Sequence, residues 1–350
     1  MPVQTVLGPV EPSALGRTMT HEHLLCTNPK PTHPVPWSSP PATEAALSTQ
    51  PITLENCYEV RTNPMLFPQT LDLQSMEDAV HEVTRFRLAG GGTIVEVTPI
   101  EGGRDPEGLR RLSLATGVLI VMGTAYYLSD FHPPELEERG EDDICADFVA
   151  DITTGIGGVK AGIIGEIGLS WPVAPREAKV LRAAVRAQGL TGAPLMVHLG
   201  RHRDAPADVI RRVVEAGGDP ARTVLCHLDR TLSSFADFRE LARSGCYLEF
   251  DLFGIEGRYP FEAEVDLPND ALRIRYIADL AEAGHLGQIL VSHDIFHQGR
   301  LGKYGGESYA HILERVVPMM RVRGHSEADI DAILVDNPAR MLTFAEPSAP

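Results

Sequence analysis

Residues 194–230 read PLMVHLGRHRDAPADVIRRVVEAGGDPARTVLCHLDR, and their pattern alternates between two kinds of segment. Leu195–His198 and Thr223–His227 are short, continuous apolar runs, and Pro206–Glu215 between them has apolar residues at helical spacing. Continuous apolar runs of this length are typical of strands that are buried on both faces. The stretch therefore predicts two neighbouring parallel strands joined by a helix.

The same alternation repeats along most of the chain. Six further apolar runs predict strands at Gly16–His23, Thr93–Val97, Val118–Gly123, Gly162–Ile167, Tyr247–Asp251 and Ile289–Ser292. Helical spacing recurs at Met76–Leu88, Pro175–Gln188, Phe235–Ser244, Ala271–Ala283 and Ser308–Met320. Eight strands that alternate with helices predict an α/β protein with a (β/α)8 TIM barrel fold. The alternative is an open doubly wound sheet, but the sequence lacks the glycine-rich phosphate turn expected after its first strand.

Residues 26–70 interrupt this alternation. The segment is rich in proline, threonine and serine and holds nine prolines, so it predicts a long loop with little regular structure. Because it follows the first strand, we expect it to lie over the mouth of the barrel. No second-domain boundary is visible, and we predict a single domain over residues 1–350.

Composition and charge restrict the function. The 350 residues carry 31 Lys and Arg against 48 Asp and Glu, and the net charge of −17 disfavours binding to nucleic acids or anionic membranes. No apolar run reaches the roughly 18 residues of a membrane span, and the N-terminus has no signal-peptide pattern. The five cysteines include no CxxC pair, which favours a reducing compartment. We expect a cytoplasmic protein that acts on a small-molecule substrate.

Four histidines stand where barrel enzymes keep their reactive groups. His21 and His23 end the first candidate strand, and residues two apart in a strand point to the same side. His198 and His227 close two later strands at their C-terminal ends. Each histidine alone could be a hydrogen-bonded core residue, but four of them at strand ends favour a metal site.

Two acidic residues complete the set. Glu166 lies inside an apolar run and needs a partner, because an unpaired buried charge is costly. Asp294 ends the last candidate strand. Imidazoles and carboxylates are zinc ligands, and one carboxylate can be shared between two ions. We therefore predict a binuclear centre of two divalent metal ions, with Zn²⁺ favoured, on His21, His23, Glu166, His198, His227 and Asp294.

These motifs resemble the phosphotriesterase-related proteins of the amidohydrolase superfamily over nearly the whole chain. The matching segments are Val3–Gly8, Leu15–Leu24, Ile164–Gly168, Val197–Arg201, Cys226–Arg230, Tyr247–Phe253, Ser292–Asp294, Lys303–Gly306 and Asn337–Pro338. The resemblance implies that His21, His23 and Asp294 hold the more buried metal. It also implies that His198 and His227 hold the more exposed one and that Glu166 bridges the two.

The chain departs from phosphotriesterases proper at two places. Those enzymes bridge their metals with a carbamylated lysine, whereas Glu166 is already a carboxylate. They also pass protons from the last-strand aspartate through a histidine to a second aspartate, and Leu252 and Arg230 stand at the matching positions here. Without that relay, efficient phosphotriester hydrolysis is not expected.

Two arginines suggest a different substrate. Arg201 and Arg230 each follow a histidine by three residues on adjacent loops, where two guanidinium groups can clamp a carboxylate, sulfonate or phosphate. The alternative is that each arginine caps a loop or pairs with a neighbouring acid such as Asp204 or Asp229. Tyr127, after the third strand, is a further candidate for substrate contact, although it could equally be a wall residue.

The metal residues and the arginines together predict a hydrolase. The resemblance implies cleavage of the amide bond of a small anionic N-acyl compound, such as N-acetyltaurine or an N-acyl amino acid, by a hydroxide that bridges the metals. Asp294 would take the proton and deliver it to the leaving group. Two alternatives stay open, a lactonase or esterase acting on a sugar or phosphosugar lactone and a non-catalytic relative that binds a small molecule. The resemblance is also compatible with a homodimer.

Overall fold

Parallel strands form the wall of a barrel in the computed structural model, which describes residues 1–27, 50–256 and 266–347. A short hairpin of β1 (Val3–Thr5) and β2 (Gly8–Val10) comes first. The barrel strands are β3 (Arg17–Glu22), β4 (Gly91–Glu96), β5 (Leu119–Thr124), β6 (Ile163–Gly168), β7 (Leu195–His198), β8 (Thr223–Leu225), β9 (Tyr247–Phe250) and β10 (Ile289–Val291). Each strand from β3 onward pairs in parallel with the next one along the chain. This order confirms the (β/α)8 barrel, because the strand order of a doubly wound sheet reverses partway.

The barrel closes between β10 and β3 through both backbone and side chains. The amide of Asp294 donates to the carbonyl of His21 at 3.2 Å, and the amide of His21 donates to the Ser292 hydroxyl at 2.9 Å. The Thr20 hydroxyl donates to the carbonyl of Val291 at 3.2 Å. The first and last barrel strands therefore meet at two of the predicted metal residues.

Helices connect the strands on the outside of the barrel. They are Cys57–Thr62, Met76–Leu88, Pro106–Thr116, Glu141–Thr153, Pro175–Thr191, Ala205–Glu215, Phe235–Ala242, Asp270–Glu282, Val317–Val322, Glu327–Asp331 and Asn337–Leu342, with π-helical turns at Ile312–Val316 and Ala332–Asp336. The helix predicted at Ser308–Met320 begins later than expected, because Ser308 has a φ of 67° that a right-handed helix excludes. None of the helices in the described part of the chain combines the length and the apolar character that a membrane span requires.

The sequence patterns missed several helices, and two of them have plain signals at their ends. The helix Pro106–Thr116 begins after Asp105, whose carboxylate accepts a hydrogen bond from the amide of Gly108, and it ends at Gly117 with a φ of 70°. The helix Glu141–Thr153 begins with three acidic residues, which the positive end of the helix dipole favours. A side-chain cap marks the start of the first helix, and acidic residues in the first turn mark the start of the second.

Part of the proline-rich segment has regular structure. Residues 28–49 lie outside the described residues, but residues 50–70 contain the helix Cys57–Thr62 and 3₁₀ turns that begin at Pro64 and Pro68. The expectation of little regular structure is wrong for this part, because proline is well accepted at the first position of a helical turn. Met65, on the first of these turns, lines the pocket at the barrel mouth.

Two apolar layers support the site from below and from the side. One layer lies between the strands and the surrounding helices. The other fills the barrel interior and includes Val95, Val121, Met196, Val224 and Leu290. The candidate metal residues lie toward the C-terminal strand ends, which is the end where barrel enzymes carry their active sites.

Candidate metal centre and substrate pocket

The predicted metal residues converge at the C-terminal end of the barrel. They come from the ends of β3, β6, β7, β8 and β10 and are His21, His23, Glu166, His198, His227 and Asp294. His227 and Asp294 have left-handed backbone, with φ of 58° and 54°. Such backbone is uncommon outside glycine and clusters at functional sites, because the surrounding structure must hold it in place.

Two histidine pairs face one carboxylate. The Nε2 atoms of His21 and His23 each lie 3.5 Å from an oxygen of Glu166. On the other side, Nδ1 of His198 lies 2.9 Å and Nε2 of His227 lies 3.3 Å from Glu166 Oε2. Each histidine pair forms a group of three potential ligands with Glu166, and the ligand atoms within each group all lie within 4.8 Å of one another. The carboxylate is therefore placed where two ions could share it.

Asp294 lies beside the first histidine pair. Its Oδ1 is 3.3 Å from Nε2 of His23 and 3.7 Å from Nε2 of His21. Asp294 is buried, and it also lines the pocket. Its carboxylate can therefore contact both an ion held by this pair and a substrate above it.

Glu22, the last residue of β3 and the neighbour of both His21 and His23, holds the loop that carries Asp294. Glu22 Oε1 accepts from the amide of His293 at 2.9 Å and lies 2.6 Å from Nδ1 of the same residue. Glu22 Oε2 accepts from the amide of Ile295 at 3.1 Å. Glu22 thus binds the residues on both sides of Asp294 and fixes the direction in which the aspartate points.

Further polar groups orient the histidines from behind. The Thr98 hydroxyl lies 2.9 Å from Nδ1 of His23. Asp251 accepts from the amide of His227 at 2.9 Å and lies 2.8 Å from its Nδ1, and it is 3.5 Å from Nδ1 of His21. Asp251 therefore contacts one histidine of each pair. Outer carboxylates of this kind fix the tautomer and the ring orientation of metal-binding histidines.

The charges of Glu166, His198 and His227 suit a bound cation. Burial alone would raise the pKa of Glu166, but the nearby charge of His21 and the hydrogen bond with His198 outweigh it and hold that pKa well below its usual value. Burial lowers the pKa of His198 to about 3 and the pKa of His227 to about 4, so both imidazoles are neutral at pH 7. Ionised carboxylate and neutral imidazole are the forms that bind metal ions.

The donor set fits two divalent cations. Within the described residues, neither ring nitrogen of the fully buried His21 makes a hydrogen bond. A buried polar atom without a partner is costly, and a metal ion would supply the partner. One ion would be held by His21, His23 and Asp294 and the other by His198 and His227, with Glu166 between them.

A cavity of about 430 Å³ opens above this cluster. Of the six candidate metal residues, five line the cavity and His21 lies beneath it. The predicted substrate residues Tyr127, Arg201 and Arg230 line it as well. The Tyr127 hydroxyl is 3.4 Å from Nδ1 and 3.5 Å from Nε2 of His198. The metal residues and the substrate residues predicted from the sequence therefore share one pocket.

Arg230 is a buried cation that faces this pocket. Its Nη2 lies 3.1 Å from Nε2 of His198, and within the described residues its Nε has no hydrogen-bond partner. Asp229, the acid beside it in sequence, instead accepts from Nε of Arg273 at 2.6 Å. The alternative in which Arg230 pairs with Asp229 is therefore wrong.

Sequence reasoning missed the supporting residues Glu22 and Thr98, although signals for both were present. Side chains alternate along a strand, so Glu22 must point away from its two neighbouring histidines, and a buried acid there needs a partner. Thr98 follows the buried Glu96 at the end of β4, and its hydroxyl donates to the Glu96 carboxylate at 2.5 Å. An acidic residue at a buried strand end therefore indicates a supporting hydrogen bond even where the residue does not face the metal site.

A parallel eight-stranded barrel whose strand ends bring two histidine pairs to one carboxylate defines the class of metal-dependent barrel hydrolases. The model of the phosphotriesterase family matches residues 1–342. The chain belongs to the phosphotriesterase family, which confirms the resemblance seen in its motifs.

The relatives support the enzyme class. Over 346 residues the chain is 42% identical to N-acetyltaurine hydrolase of Tetraodon nigroviridis and 42% identical to that of Homo sapiens, and 98% of each chain is covered in both comparisons. The crystal structure of a resiniferatoxin-binding protein from Rhodobacter sphaeroides is 38% identical with a TM-score of 0.91, covering 97% of this chain and 94% of that one. The prediction that the chain is a hydrolase is confirmed.

Replacing Glu166 with glutamine should lower the metal content of the protein. A neutral amide binds cations more weakly than a carboxylate and cannot balance the charge of two ions. We expect about two ions per chain in the metal-loaded parent and about one or fewer in Glu166→Gln, measured by elemental analysis after gel filtration. Glu101→Gln is the matched control. Glu101 is also a carboxylate that lines the pocket, but it accepts a hydrogen bond from the Tyr127 amide and is not one of the predicted metal ligands. Equal metal content in all three proteins would refute the shared-carboxylate arrangement.

Replacing Asp251 with asparagine should weaken metal binding without removing any predicted ligand. The amide would disturb the tautomers of His227 and His21, and such changes weaken metal affinity by about 10- to 100-fold. Competition with a chelator measures this affinity. Asp130→Asn serves as the control, because Asp130 is an exposed residue at the edge of the pocket. If Asp251→Asn and Asp130→Asn bind metal equally well, Asp251 does not orient the site.

Proposed function

We propose that this chain hydrolyses the amide bond of a small N-acyl compound whose amine part carries an anionic group, with N-acetyltaurine as the reference substrate. The observation that carries the proposal is Arg230, a buried guanidinium that faces the pocket while the neighbouring Asp229 is held by Arg273. The near-full-length similarity to N-acetyltaurine hydrolases supports the same substrate class.

The orientation of His198 makes Arg230 available to a substrate. Nδ1 of His198 lies 2.9 Å from both Glu166 and His227, so Nδ1 is the atom that would bind a metal ion. Nε2 then carries the ring proton and cannot accept a hydrogen bond from Arg230. Nη2 of Arg230 donates to the carbonyl of Leu199 at 3.5 Å, and the remaining donors of the guanidinium group can bind a sulfonate or carboxylate. Arg201 on the adjacent loop adds a second positive charge.

The residues of the metal centre have distinct roles in this proposal. Two divalent ions, which we propose to be Zn²⁺, would polarise the amide carbonyl and lower the pKa of a water molecule. Burial would raise the pKa of Asp294, but its hydrogen bond to His23 and the nearby histidine charges hold it below its usual value. Asp294 is therefore ionised at neutral pH, and it can accept a proton and pass it to the amine nitrogen as the C–N bond breaks.

Tyr127 supplies a hydrogen-bond donor beside His198. Burial raises the pKa of Tyr127 well above its usual value, so the phenol keeps its proton at neutral pH. The hydroxyl faces the pocket beside His198, where it can donate to an oxygen of the substrate. We therefore assign Tyr127 to substrate binding together with Arg201 and Arg230.

Several expectations from the sequence stay predictions. They are the single domain over residues 1–350, the homodimer, the cytoplasmic location and the absence of nucleic-acid binding.

Replacing Arg230 or Arg201 with methionine should impair hydrolysis of anionic substrates selectively. Loss of a charged hydrogen bond at a buried site lowers kcat/KM by about 10- to 150-fold, and the loss should appear mostly in KM. The substrates are N-acetyltaurine and N-acetylethanolamine, in which a neutral hydroxyl replaces the sulfonate. Arg203→Met is the control, because Arg203 lies on the same loop with 66% of its side chain exposed.

Two outcomes would contradict the proposal. If metal-loaded protein hydrolyses neither compound nor any N-acyl amino acid, amide hydrolysis is wrong, and the non-catalytic binding alternative gains. If the arginine variants lose the same factor on both substrates, the arginines support the loops and do not recognise the anion.

A further inference from the structure

The loop that carries Arg201 lies beside the loop of the neighbouring strand. We call residues 169–174 the β6 loop and residues 199–204 the β7 loop. β6 and β7 are adjacent in the barrel, and the amide of Leu169 donates to the carbonyl of His198 at 3.1 Å, which joins the two loops at their base. The position of Arg201 therefore depends on the contacts between these loops.

Trp171, in the β6 loop, contacts the residues on both sides of Arg201. The Trp171 ring stacks on the ring of His202, with centroids 4.6 Å apart and planes 8° from parallel. A Cβ atom added to Gly200 would lie 2.6 Å from the Trp171 amide nitrogen and 2.7 Å from the Trp171 Cβ, so only glycine allows this approach. Trp171 therefore fixes the backbone before Arg201 and the side chain after it.

A buried carboxylate holds the loop that carries Trp171. Glu177, fully buried in the helix Pro175–Thr191, accepts from the amides of Ser170 and Ala174 at 2.8 and 3.1 Å. It also accepts from the Ser170 hydroxyl at 2.6 Å. These hydrogen bonds lie on both sides of Trp171 in sequence, so the indole ring is a fixed surface against which the β7 loop packs.

His202 makes a second contact, within its own loop. Its Nδ1 accepts from the amide of Asp204 at 3.2 Å. The side chain thus provides a flat face for Trp171 and a hydrogen-bond acceptor for the β7 loop. Different substitutions can remove one of these contacts and keep the other.

We propose that Trp171 is a positioning residue for recognition of the substrate anion, because it holds the β7 loop so that Arg201 lines the pocket before substrate binds. This inference rests on the proposed function, in which Arg201 binds the anionic amine part of the substrate. A side chain that is already in place loses less conformational entropy on binding than one on a free loop. Trp171 therefore acts on binding of the anion and leaves the amide chemistry at the metal centre unchanged.

Replacing Trp171 with leucine should raise KM for N-acetyltaurine. The expected increase is about 2- to 12-fold, the cost of ordering one long side chain on binding, with kcat nearly unchanged. N-acetylethanolamine, which lacks the anion, should be hydrolysed as well as by the metal-loaded parent. Phe235→Leu is the matched control, because it removes a ring contact with Tyr276 on the helices outside the barrel, and it should change neither substrate. An equal loss on both substrates in Trp171→Leu would overturn the inference.

Two variants of His202 separate the stack from the hydrogen bond. His202→Phe keeps a flat ring and loses the acceptor, whereas His202→Asn keeps an acceptor and loses the ring. The ratio of kcat/KM for N-acetyltaurine over N-acetylethanolamine should stay at the parent value in His202→Phe and fall by about 2- to 12-fold in His202→Asn. An unchanged ratio in His202→Asn, or a lower ratio in His202→Phe than in His202→Asn, would show that the stack does not position the loop.

A double-mutant cycle tests whether Trp171 acts through Arg201. In the Arg201→Met background, Trp171→Leu should change the same ratio by less than about twofold, because the group that it positions is gone. The same loss in both backgrounds would overturn the inference. A selective loss in Arg201→Met with none in Trp171→Leu would also overturn it and leave the proposed function standing, whereas no hydrolysis by the metal-loaded parent would overturn both.

Discussion

A carboxylate buried among imidazoles is the constraint on which this site depends. Glu166 is 3% exposed, and a charge withdrawn from water to that extent is tolerated only when opposite charge or hydrogen-bond donors surround it. The partners come from β3, β7 and β8, whose histidines all point at the end of β6. The charge of Glu166 is therefore compensated only when the ends of these strands come together at the barrel mouth.

The closure of the barrel and the geometry of the site are also linked. Ser292 and the Asp294 amide join the last barrel strand to His21. His21, a predicted metal ligand, is therefore also part of the contact that closes the barrel between β10 and β3. Glu22 holds the loop after β10 in place by accepting hydrogen bonds from the amides of His293 and Ile295. Side chains held by strand ends and by such contacts keep their directions more closely than side chains on free loops do.

The sequence predicted those features that arise from short-range pattern. Parallel strands are buried on both faces, so they appear as continuous apolar runs, and histidines or acids at the ends of such runs are conspicuous. The partner of Asp229 could not be predicted from the sequence, because Arg273 lies on a helix 44 residues away and only the folded barrel brings the two residues together. Helix 106–116, which the apolar pattern did not predict, is marked by its caps at Asp105 and Gly117.

The local charge at the pocket explains how so acidic a chain can be proposed to bind an anion. The net charge is −17, but at physiological ionic strength exposed charges are screened beyond roughly 8 Å. Arg230 is buried 3.1 Å from His198, where charges interact more strongly than they do in water. The motif resemblance implies that phosphotriesterases proper carry an aspartate of their proton relay at the position of Arg230 and a histidine at the position of Leu252. On the proposed function, these two positions lack the path for protons, and Arg230 supplies the charge that selects the substrate, so the change in chemistry and the change in specificity meet at Arg230.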